Sequence, residues 1–208
     1  MSQTHKFSFF IILGLIFLLP IFFIPGGALD LSVAKSALLA LGLVLALLVF
    51  LLETWREGKL DIPWHPFFLI IIFLPLIYLL SALLSVPSAL SLFGYNFEVG
   101  TFGFILLGSA LLILISVIFK DISRALYALV ALLASFSLIA VFAATKVLSN
   151  GFPVLGTFFG NTASPVGAWT DLATLLGLLS VLLILALRMI PMKKSFRILS
   201  YVIFWLST

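Results

Sequence analysis

The chain has 208 residues, 64% of them hydrophobic and 9% charged, with a mean hydropathy of +1.38. A soluble domain is about 45–50% apolar and about 25% charged, so no water-soluble fold of this length buries so much apolar surface. The formal net charge is +4 and the pI about 9.6, but the basic residues sit at the ends of apolar runs, which excludes a nucleic-acid face; the absence of cysteine excludes disulfides, thiolate metal sites and a cysteine nucleophile.

A membrane helix needs about 20 mostly apolar residues. The first such run is Phe7–Ile24, kinked or ended near Pro20. Lys6 and the small residues Gly26-Gly27-Ala28 give it the outline of a cleavable leader, but its apolar stretch exceeds the usual apolar core of a signal peptide, so it reads as a retained helix. The second run is Ser36–Leu52 and the third Pro66–Ser85, with Pro75 inside it. The fourth is Thr101–Phe119, the fifth Ala125–Ala144, and the sixth Leu172–Leu187, with Thr170 or Asp171 as its N-cap. A seventh begins near Ile198 and reaches Leu206, which suggests a partial chain. No run alternates with a strand period, which disfavours a β-barrel. The expected fold is therefore all-α: one polytopic membrane helix bundle of six transmembrane helices plus a truncated seventh.

Lysine and arginine in short loops set the orientation. With the N-terminus inside, the inner segments carry Lys6, Arg56, Lys59, Lys120, Arg124, Arg188, Lys193, Lys194 and Arg197, and the outer ones only Lys35 and Lys146. The outer segments are then Pro25–Lys35, Val86–Gly100 and Thr145–Thr170.

No catalytic constellation stands out. His5 and His65 lie near helix ends on the inner side, without a neighbouring Ser, Asp or second His at ligand spacing, and read as interfacial polar residues. No span carries a charge near its centre, which argues against an ion-coupled transporter or pump. Ala131, Ser135, Ala140 and Ala144 in the fifth span fall into pairs four apart and allow close helix approach. No metal or cofactor site is expected.

Two outer segments stand apart. The first reads Ser88-Ala-Leu-Ser91-Leu-Phe-Gly94-Tyr95-Asn-Phe-Glu98-Val-Gly100-Thr101; its glycines permit tight turns, and its aromatics suit the interface. The second runs from Gly156 through Phe159-Gly160-Asn161 and Ser164-Pro165 to Trp169-Thr170-Asp171. Asn161 suits a turn, Trp169 an anchor and Asp171 a helix cap. An outward helix start can attract an anion, but Asp171 partly cancels that pull. Each segment reads either as an anchored interfacial hairpin or as part of a substrate-lining surface. Tyr95, Glu98, Asn161, Trp169 and Asp171 are the candidate lining residues.

The Leu83-Leu84-Ser85 helix end, the Ser88-Ala-Leu-Ser91-Leu-Phe-Gly94 run and Gly100 before the next span resemble the N-terminal half of the O-antigen ligase and polymerase superfamily. Phe159-Gly160-Asn161 is similar to a Gly-Asn-(Pro)-Asn element of that superfamily, and Gly167-Ala-Trp169-Thr-Asp171-Leu-Ala resembles a divergent branch. The resemblance implies a multi-pass protein of the bacterial inner membrane that handles polyprenyl-diphosphate-linked glycans in envelope polysaccharide assembly. It implies a glycosyltransferase-type reaction without a metal: an acceptor hydroxyl attacks the anomeric carbon while cationic groups stabilise the leaving diphosphate. Glu98 stands where such families commonly carry Arg, and Pro165 is displaced from the Asn-Pro-Asn position. The family's catalytic His and Arg lie in a later external loop, and nothing in this chain matches them. Asp30, Lys35, Glu98, Lys146 and Asp171 sum to −1 on the outer side, so most of the anion site is expected downstream of Thr208. The competing reading is a transporter or flippase fragment, or a non-catalytic membrane scaffold; membrane lipid is the partner expected on either reading.

Overall fold

A computed structural model describes residues 5–23, 31–58, 66–95, 100–148, 166 and 169–189. All secondary structure among them is helical. In chain order the helices are α1 (Lys6–Ile21), α2 (Leu31–Glu57), α3 (Phe67–Leu84), α4 (Ser88–Phe93), α5 (Phe102–Ile118), α6 (Ile122–Leu148) and α7 (Trp169–Met189). The run expected at Ile198–Leu206 lies outside the described residues.

Among the described residues, three helices are long and apolar enough to cross a membrane: Leu31–Arg56 of α2, all of α3, and Ile122–Thr145 of α6. Three more are apolar but shorter, in Lys6–Ile21, Phe102–Ile118 and Thr170–Ile184. At about 1.5 Å per residue, the 16 residues of α1 span about 24 Å, short of a hydrocarbon layer of about 30 Å. Helix α3 is apolar all round, yet only Phe68 and Ala82 are buried along its length. Phe67, Ile70, Ile77, Leu80 and Leu84 are all well exposed. Such a surface is incompatible with water and suits lipid, which marks a membrane protein.

The helices differ from the expected runs at their ends for local reasons. Helix α2 extends beyond Ser36–Leu52 in both directions, because helical hydrogen bonding continues where apolarity stops. It closes at Gly58, whose φ of 65° is left-handed and whose N–H donates to the Thr54 carbonyl at 2.9 Å. Helix α1 stops at Ile21, one residue past Pro20. Helix α7 begins at Trp169, so neither Thr170 nor Asp171 is its N-cap; both sit in its first turn, where the Asp171 carboxylate still complements the helix dipole.

The described contacts group into two compact units. The first draws on Met1–Leu15 and Ser32–Tyr127, the second on Ile16–Leu31 and Ala128–Thr208. In the first, α3 packs on α4 and α5, and α1 meets α2 where Gly42 faces Leu15. A Cβ at Gly42 would come within 2.5 Å of a Leu15 methyl, so the glycine leaves room for the Leu15 side chain to lie against α2. In the second, Leu133, Phe136 and Ala140 of α6 bury against Leu179 and Leu183 of α7. Ser135 and Ala140, from the expected small-residue set, are both buried there.

Several hydroxyls in the helices bond back to the preceding turn. Thr54 donates to Phe50, Ser116 to Leu112, Ser137 to Leu133 and Ser180 to Leu176, at 2.6–3.0 Å. This keeps a polar side chain satisfied where no water reaches it.

Candidate functional site

The segment between the third and fifth helices carries the motif residues, and it is more structured than the hairpin expected at Val86–Gly100. Helix α3 ends at Ser85, whose backbone turns extended and whose hydroxyl donates to the Ala82 carbonyl at 2.9 Å. The chain then forms α4, because Ser88-Ala-Leu-Ser-Leu-Phe holds no helix breaker once Pro87 is passed. Ser85 and Ser91 share a hydrogen bond at 2.5 Å, which ties the end of α3 to α4. Gly94 closes α4 at φ 65° and ψ −173°, with its N–H on the Leu90 carbonyl at 2.8 Å. That conformation is open only to glycine. Gly100, at φ 99°, also needs to be glycine, and Thr101 then caps α5 by accepting from the Phe104 N–H at 3.5 Å.

Beside this segment lies an apolar cavity of about 290 Å³ between α3 and α5. Ile72, Pro75 and Leu79 line one wall, and Phe102, Leu106 and Ile113 the other. Pro75 has no N–H, so the Ile71 carbonyl one turn earlier loses its helical donor at the cavity edge. Ser109 brings a hydroxyl to the opposite wall.

Of the candidate lining residues, Tyr95 is exposed just after Gly94 and belongs to the first unit. Asp171 is exposed in the first turn of α7 and belongs to the second. Trp169 opens α7. Glu98 and Asn161 lie outside the described residues. The Tyr95 and Asp171 side chains are thus accessible.

A polar cluster does form at a place with no sequence signal, at the opposite end of the first unit. His5 precedes α1 at φ 56°, and its carbonyl accepts from Phe9 at 3.1 Å, so it occupies the N-cap position. An N-cap side chain usually serves the second or third N–H of its own helix. Here Glu53 of α2 does so instead. One carboxylate oxygen accepts from the Phe7 N–H at 2.8 Å and the other from the Ser8 hydroxyl. The His5 ring stacks on Phe50 at 4.8 Å, with Nδ1 3.6 Å from the same carboxylate, an ion-pair distance rather than a hydrogen bond.

His5 is therefore not the isolated interfacial residue expected from sequence; Ser8 and Glu53 adjoin it. The set is not a catalytic triad, because the carboxylate is the hub. A triad requires the imidazole between hydroxyl and carboxylate. Ser8 is also fully buried. His65 lies outside the described residues.

On the other flank of the same turn, Arg124 of α6 is buried. It donates to the Ile118 carbonyl at the end of α5 at 2.9 Å, lies 3.8 Å from Asp121, and sits 5.6 Å over the Phe9 ring. Phe119 and Tyr127 complete an aromatic wall around Phe9. The guanidinium thus terminates α5, where the helix dipole favours a cation, and packs on α1 as a cation–π pair. No group of three or more His, Cys, Asp or Glu side chains able to hold a metal occurs among the described residues.

No family model, no curated protein and no solved structure matches the chain.

Proposed function

We propose that this chain is the membrane-embedded part of an O-antigen ligase- or polymerase-like protein of the bacterial inner membrane. It handles polyprenyl-diphosphate-linked glycans in envelope polysaccharide assembly. The observation that carries the reading is the motif segment itself. Its serines are bonded to each other, its glycines hold left-handed turns, and an apolar cavity lies alongside, between α3 and α5. An isoprenoid chain needs an apolar, lipid-facing slot. The headgroup it carries needs the slot to open near a polar edge. The exposed Tyr95 ring follows the Gly94 turn directly in the chain.

The same reading makes the chain a six-span protein with a cytoplasmic N-terminus. Its support is the shared end of the first unit. The starts of α1 and α6 and the ends of α2 and α5 meet there, as Phe7 with Glu53 and Phe9 with Phe119 and Tyr127. Up-and-down threading puts those four ends on one side, and they carry Lys6, Arg56, Lys120 and Arg124.

A photoreactive polyprenyl-diphosphate glycan in proteoliposomes tests the glycan reading. Labelling should map to Leu79 and Phe102 and be competed by unlabelled polyprenyl-diphosphate glycan, but not by phosphatidylglycerol. Labelling equally competed by any lipid makes the cavity ordinary lipid-facing surface and sinks the reading.

A further inference from the structure

The first turn of α1 is gripped from two sides by ionisable side chains of other helices. Glu53 of α2 takes the N–H of Phe7 and the hydroxyl of Ser8. Arg124 of α6 covers the ring of Phe9 while closing the end of α5. Ser8, Phe9, Ile12 and Leu15 are buried along the same face of α1. We infer that Glu53 and Arg124 form a two-sided polar clasp on the first turn of α1, making the part of α1 up to Leu15 a permanent structural element of the first unit rather than part of a leader removed at Gly26–Ala28.

The reason is particular to lipid. Apolar side chains gain little by leaving lipid for another helix, so partner choice falls to close packing and polar groups. A carboxylate or guanidinium near the hydrocarbon is expensive unless its partners stay with it. Glu53 finds two donors on α1, one of them a backbone N–H that α1 cannot satisfy from its own turns. Without α1, Glu53 would keep its charge and lose both donors. Arg124 would lose the aromatic face that covers it. An apolar leader that is later discarded has no need for either arrangement.

The clasp rests only on this end of the first unit and is independent of the glycan reading. The chain contains no cysteine, so engineered pairs report without background. Leu15→Cys with Gly42→Cys places two thiols where the Leu15 side chain already lies against Gly42 of α2, within reach of a short bifunctional thiol cross-linker. The full chain, with one epitope tag at each end, is expressed in membranes and treated with that cross-linker. The cross-linked species should carry both tags. Adding Glu53→Ala should lower the cross-linked fraction several-fold, and Glu53→Gln, which keeps an accepting oxygen for the Phe7 N–H, should restore much of it. Arg124→Ala should also lower it, and Arg124→Lys should restore less than Glu53→Gln does, because ammonium covers an aromatic face less well than guanidinium. If the mature protein lacks the N-terminal tag, or if Glu53→Ala cross-links as the parent does, the clasp is overturned.

Discussion

The two units use different means to hold helices together. At one end of the first, charged and polar side chains reach across helices: Glu53 to α1, Arg124 to α5 and α1. The second packs α6 on α7 through Leu133, Phe136, Ala140, Leu179 and Leu183, with the Ser137 and Ser180 hydroxyls turned back onto their own helices. Polar contacts are directional and name their partners. Apolar contacts in lipid depend on shape, so the small residues Ser135 and Ala140 matter because they let α6 bury a face closely.

The largest effect should come from breaking the apolar unit. Phe136→Ala removes the largest buried side chain of that cluster and should destabilise the protein by about 3–5 kcal/mol, the range for a large-to-small change in a packed core. The measurement is detergent-induced unfolding followed by helical circular dichroism. The Leu15–Gly42 cross-link should survive, since it reports on the first unit. Loss of both together would show that the units do not behave separately.

Next comes the polar end. Glu53→Ala leaves the buried Ser8 hydroxyl and the exposed Phe7 N–H without their acceptor and should lower stability by about 1–3 kcal/mol in the same assay, mostly through Ser8. A change below the error of the assay would show that these contacts contribute nothing to holding α1.

Much of this contrast was not readable in the chain. The apolar runs located six helices to within a few residues, because a membrane helix is specified by composition over a long window. Helix α4 escaped because its six residues are too few for any periodic signal and sit between Pro87 and Gly94, which read as turn chemistry. The Glu53–Ser8–His5 cluster escaped because its members are far apart in sequence, and Glu53 looked like an ordinary charge just past an apolar run. Nor does position single them out, since Lys6, Lys35, Lys120, Asp171 and Arg188 adjoin spans as closely as Glu53 and Arg124 do. The outer-face set was legible only as types and positions. Tyr95 and Asp171 are accessible, Trp169 opens a helix, and Glu98 and Asn161 fall outside the described residues.

Ser135 sharpens the comparison from the apolar side. Its hydroxyl is fully buried and finds no hydrogen-bond partner among the described residues. Ser135→Ala keeps the small volume and removes an unsatisfied group, so it should stabilise by up to about 1 kcal/mol. Destabilisation of that size would mean the hydroxyl has a partner. The smallest effect is expected at the motif segment. Ser91→Ala breaks the bond to Ser85 and should cost about 0.5–1 kcal/mol, with glycan-probe labelling at Phe102 reduced more than lipid labelling elsewhere.

The proposed glycan reading carries with it a six-span arrangement with a cytoplasmic N-terminus. Single cysteines at Ser91, Ser149 and Ser195 test it directly in intact cells, using an impermeant thiol reagent on a chain without native cysteine. Labelling from outside at Ser91 and Ser149, with Ser195 protected until the membrane is opened, is the predicted result. Labelling at Ser195 with protection of the other two would contradict it.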